Sequence, residues 1–73
     1  MRGYVEIDPK ALRELRRDRL LSTRQLAKLA DVSPDTVNGL ELGKRDAQTT
    51  TVKKLASALR VRPQRLINAR VEI

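Results

Sequence analysis

The chain contains neither cysteine nor histidine, and Tyr4 is its single aromatic residue. Without cysteine there are no disulfides and no thiolate nucleophile, and nothing in the composition signals an oxidising compartment. Without histidine the usual general base near neutral pH and most zinc sites are gone as well. An enzyme is therefore not expected, and neither is a metal, a cofactor or a small-molecule ligand. Long apolar runs are also lacking, because Arg and Lys interrupt them after a few residues. No signal peptide or transmembrane span is legible, so a cytoplasmic, nucleoid-associated location and no membrane partner are expected. The missing aromatics remove the stacking platforms on which single-strand readers hold bases. With 73 residues the chain has room for one small domain whose core must fold without covalent or metal staples.

What is abundant is positive charge. Lys and Arg number 16 against nine Asp and Glu, a formal +7 with a sequence pI near 10.9. Such a chain gains affinity for polyanions by displacing condensed counterions, and with single strands disfavoured, duplex DNA is the first candidate. An anionic membrane surface is a distant alternative, because the cations are spread over every segment and no bulky aromatic face accompanies them.

Punctuation divides the sequence into five short helices. Asp8 and Pro9 form an N-cap and first-turn pair, followed by an inward stripe of Ala11, Leu12 and Leu15 as far as about Arg19. Ser22 caps a second helix carrying Leu26, Ala27, Leu29 and Ala30, interrupted at Asp31 in a turn or left-handed conformation. Ser33 caps a third, with Pro34 at its first position, Asp35 favoured by the helix dipole, Val37 and Leu40 inward, and Gly43 past its end. The Thr49 to Thr51 run starts a fourth helix with Val52, Leu55, Ala56 and Leu59, and Pro63 begins a fifth with Leu66 and Ile67. The two ends, Tyr4-Val5-Glu6-Ile7 and Arg70-Val71-Glu72-Ile73, alternate like half-buried strands. They are expected to pair as an antiparallel ribbon, within one chain or across a dimer; two frayed tails are the alternative.

The run LRELRRDRLLSTRQLAKLADVSPDTVNGLELGKRDAQTTTVKKLASALRVRPQRLI resembles the Cro/repressor (XRE) family of helix-turn-helix proteins over about three quarters of the chain. The likeness is carried by Leu26-Ala27, the Val32-Ser33 turn, Val37, Leu40-Glu41, Gly43-Lys44, and Leu55-Ala56 through Ala58-Leu59 to Val61. It implies an all-α, compact five-helix lambda-repressor-like domain whose second helix braces the DNA backbone and whose third lies in the major groove. One helix-turn-helix domain is expected over residues 1–73, with a core of about 8–69 and extensions at 1–7 and 70–73. Met1 and the tidy ends suggest an intact chain rather than the DNA-binding piece of a longer regulator.

The resemblance also assigns roles. Arg16 and Glu41 occupy the positions of a family ion pair, whose role is structural. Leu20 and Asp31 stand where family members often carry glycine, and Asp31 should cost on the order of 1 kcal/mol if its site requires positive φ. Thr23 stands where the family often places a phosphate-touching Gln, and its hydroxyl, with Ser22, Arg24 and Lys28, can share that contact. For Arg24 and Lys28 a solvated helix face is the plain alternative. The groove-facing candidates on the third helix are Ser33, Pro34, Asp35, Thr36, Asn38 and Gly39. Pro34 and Thr36 can touch a thymine methyl, Asn38 can pair with adenine, and Asp35 can accept from a cytosine amine or serve only the helix dipole. Gly39 either allows close approach to the groove floor or leaves its position unread. Lys44, Arg45 and the Thr49 to Thr51 helix start suit phosphate, a solvated loop being the alternative for the two cations.

Together these point to a sequence-selective binder of double-stranded DNA, a small transcriptional repressor or phage-type regulator, with sparse direct readout supplemented by DNA shape. A homodimer on an inverted repeat is expected, with recognition helices about 34 Å apart and the terminal ribbon as its contact. The alternative is a protein-interaction module, antitoxin-like or polymerase-binding, that keeps the same scaffold.

Overall fold

Asp8 turns the chain into its first helix: its carboxylate accepts the N–H groups of Lys10 and Ala11 at 3.1 and 3.2 Å, with Pro9 at the position where a missing N–H costs nothing. The computed structural model describes residues 4–67. Within them lie β1 (Tyr4–Val5), α1 (Pro9–Asp18), α2 (Thr23–Ala30), α3 (Pro34–Glu41), β2 (Ala47–Gln48) and α4 (Thr49–Leu59), then a single 3-10 turn at Pro63–Arg65.

All four helices end the same way. The N–H of Leu21, Val32, Lys44 and Val61 each reaches back five residues, to the carbonyls of Arg16, Ala27, Gly39 and Ala56. The residue before each of these bonds in turn to the carbonyl three back, completing a Schellman motif at every C-terminus. The motif requires a left-handed residue, and those residues are Leu20 (φ 57°), Asp31 (φ 59°), Gly43 (φ 72°) and Arg60 (φ 61°). Only one is glycine. Leu21, Val32 and Val61 then pack half-buried on the core, the apolar contact that accompanies the motif.

The core is aliphatic, as a chain with one tyrosine requires. Leu12, Leu26, Val37, Leu40, Leu55, Leu59 and Leu66 are its largest fully buried side chains, so every α-helix contributes, as does the residue that follows the 3-10 turn. Each buried leucine contributes roughly 1.5–3 kcal/mol by leaving water. α2 packs on both α3 and α4, and α1 on α3.

Two expectations need correction. Four α-helices form among the described residues, not five: after one 3-10 turn the chain is drawn into extended pairing with the N-terminal segment. There Leu66 accepts the N–H of Asp8 at 2.8 Å and Ile67 bridges Ile7. β1 pairs antiparallel with β2, Tyr4 opposite Gln48 and Val5 opposite Ala47; the other half of the expected terminal ribbon, residues 70–73, lies outside the described residues. Leu29 is 61% exposed. At 100° per residue it falls beyond the edge of the stripe formed by Leu26, Ala27 and Ala30.

Candidate nucleic-acid interface

A capping box opens α2 and a serine cap opens α3. Ser22 Oγ accepts the N–H of Gln25 at 3.0 Å, and Gln25 Oε1 accepts the N–H of Ser22 at 2.8 Å, a complete capping box. Asp31 then reverses the chain in the left-handed region, and Ser33 opens α3 by accepting the N–H of Thr36 at 3.1 Å. Three residues, Asp31 to Ser33, separate the two helices.

α3 is held from behind by an ion pair. Arg16 Nε donates to Glu41 Oε2 at 2.6 Å and Arg16 Nη2 to Glu41 Oε1 at 3.0 Å, while Arg16 Nη1 donates to the carbonyl of Leu21 at 2.8 Å. Glu41 is buried, so its charge depends on this partner. The hydrogen bond to Glu41, aided by the carboxylate's charge and opposed by burial, raises the Arg16 guanidinium above its ordinary range.

On α2, Ser22, Arg24 and Lys28 are exposed and Thr23 is half-buried. Arg24 and Lys28 lie one turn apart on one face. Gln25 spends its side chain in the capping box. On α3, Val37, Leu40 and Glu41 point inward, which puts Asp35 and Gly39, one turn apart, near the centre of the opposite face. Pro34, Asp35 and Asn38 are exposed, and Thr36 is half-buried. The hydroxyls of Ser33 and Thr36 bond each other at 2.9 Å, so part of their capacity for outside partners is already used.

Lys44 and Arg45 leave the end of α3 exposed. The space beside Gly39 is neither open nor idle. A Cβ built there would stand 2.7 Å from Arg45 Cδ, 3.4 Å from Cγ and 3.6 Å from Nε, so the Arg45 stem crosses the helix at its one bare position. Nothing in the linear sequence shows this crossing, because it depends on Gly43 turning the chain back over α3.

The same fold brings the start of α4 alongside. Arg45 and Thr36 share an open depression of about 220 Å³ with Tyr4, Asp46, Gln48 and Thr51. Gln48, whose Nε2 donates to Tyr4 Oη at 3.3 Å, makes no side-chain cap on α4, and no acid stands in that helix's first turn. The strand character of Tyr4-Val5 was legible in the sequence, but its partner β2 was not, because a two-residue strand has no period. Among the described residues no helix is long and apolar enough to cross a membrane.

Comparison with known proteins agrees with this geometry. Residues 12–66 match the helix-turn-helix family HTH_3. The chain is 44% identical over 59 residues to the uncharacterised HTH-type transcriptional regulator RghRB of Bacillus subtilis, covering 80% of this chain and 42% of that protein. The restriction-modification controller protein C.AhdI of Aeromonas hydrophila superposes with a TM-score of 0.76 at 37% identity, over 78% of this chain and 86% of the other. The clp gene regulator ClgR of Corynebacterium glutamicum gives 0.72 at 28% identity, over 77% and 60%. The protein described here belongs to the helix-turn-helix family HTH_3, to which its Cro/repressor-like residues pointed.

Proposed function

We propose that the protein is a transcriptional regulator that binds double-stranded DNA sequence-selectively, with α3 in the major groove and α2 against the backbone. The observation that carries this reading is a set of uncommitted cations around α3. Arg24, Lys28, Lys44 and Arg45 are exposed, and no hydrogen bond or ion pair among the described residues engages their charged groups. Arg24, Lys28 and Lys44 take phosphates, the uncapped start of α4 takes another, and Asp35 and Asn38 face base edges. The regulator names of its relatives support the same role.

Repression follows from occupying promoter DNA. The residues act as one domain, and a homodimer on an inverted repeat sets two α3 helices about 34 Å apart. Fluorescence titration of random and selected duplexes over a salt series tests the reading. A steep fall of affinity with salt is expected, together with a palindrome from randomised-site selection. No binding to any duplex at about 50 mM salt would remove DNA as the partner and favour a protein-docking module.

A further inference from the structure

α3 presents few side chains long enough to read a base. Pro34 and Asp35 are short, Thr36 is tied to Ser33, and Gly39 has no side chain at the centre of the outward face. The Arg45 stem nevertheless lies across that centre, within van der Waals reach of where a Gly39 side chain would begin. Its guanidinium is engaged by no hydrogen bond or ion pair among the described residues, and the residue is exposed.

From this juxtaposition we infer that Arg45 is the guanine-reading residue of the module, delivered across the bare backbone of Gly39. The inference rests on the proposal that α3 enters the major groove. Arginine presents two parallel N–H donors that match the O6 and N7 acceptors of a guanine edge. Carried on the loop after α3, such a side chain would ordinarily be free to find the nearest phosphate. Laid over Gly39, its apolar stem is ordered before DNA arrives, and less conformational entropy is lost on binding. The helix thus borrows from the following loop the long donor that its own sequence lacks. Lys44, with no such seat, keeps the phosphate role.

The seat and the reader can be separated experimentally, using the full chain and duplexes from a randomised-site selection. Arg45→Ala removes the fork. Gly39→Ala keeps every charge but puts a methyl 2.7 Å from Arg45 Cδ, closer than two carbons can sit, so the stem must shift off its seat. Alanine is the better helix former, and an undiminished Tm will show that the fold is intact. The wild type is expected to select a fixed guanine in each half-site, and both variants are expected to lose it. Arg45→Ala should weaken the selected duplex on the order of ten- to a hundredfold and random duplex by about threefold or less. Gly39→Ala should lose the guanine with an unchanged salt slope. A guanine preference surviving in either variant, or no fixed guanine in the wild-type site, overturns the inference. So does Arg45→Ala weakening selected and random duplex by one common factor, which is the mark of a phosphate contact. Wild-type protein that binds no duplex at low salt fails earlier, at the proposed function itself, and takes the inference with it.

Discussion

Arg16 and Glu41, 25 residues apart in the chain, meet through two hydrogen bonds of 2.6 and 3.0 Å and tie α1 to the end of α3. Because Glu41 is buried and Arg16 also holds the Leu21 carbonyl, removing the arginine strands two polar groups at once. Arg16→Ala is expected to destabilise by about 3 kcal/mol, a large share of the stability of so small a domain. Replacing both partners with apolar residues of similar volume should restore most of it. Denaturant titration of the three proteins checks this, and a single variant as stable as the wild type would refute it.

The raised Arg16 group also fixes a sign. A cation whose folded value lies above its unfolded value adds stability that is complete below the unfolded value and is lost only as pH rises through the folded one. That window lies far above neutrality, and no histidine or cysteine titrates nearer. Tm should therefore stay flat between about pH 5.5 and 7.5. A step there in a differential-scanning series would count against a structural charge limited to this pair.

Leu20 holds a left-handed conformation at φ 57° while 90% exposed, so it carries the conformational penalty with little packing in return. Leu20→Gly is expected to stabilise by about 0.5–1 kcal/mol, after allowing for the looser unfolded chain. Arg60→Gly should gain similarly, and Asp31→Gly least, because aspartate tolerates this region best. Thermal melts would test the ranking.

Lys44→Ala should weaken selected and random duplex alike and reduce the salt slope by about 0.9, because one phosphate fewer is neutralised. An unchanged slope would place Lys44 off the backbone.

Asp35→Ala should relax base preference while raising affinity for random duplex, because an acid facing the groove repels phosphate and earns its place only by excluding wrong bases. Its removal from the first turn of α3 should cost no more than about 1 kcal/mol of stability. A randomised-site selection identical to the wild type's would leave only the dipole role.

Much of the fold could be read in the sequence because its signals are local. Asp8, Ser22 and Ser33 cap their helices from the next turn, Pro9 and Pro34 sit where no N–H is needed, and the leucine spacing names the buried faces within one element. Local signals failed where a distant partner competes for the same backbone. The helix expected after Pro63 stops at one turn because Asp8 and Ile7 claim Leu66 and Ile67. β1 finds β2 across more than 40 residues of chain, with Gln48 donating to Tyr4. In the candidate interface the identities of the exposed residues were legible, but the seating of Arg45 on Gly39 was not. By itself the sequence determined helices, caps, charge and family, all carried by neighbours within a turn or two. Only the tertiary structure decided which side chain fills the bare face of α3, because that contact exists only once Gly43 has reversed the chain and brought a loop residue back over the helix.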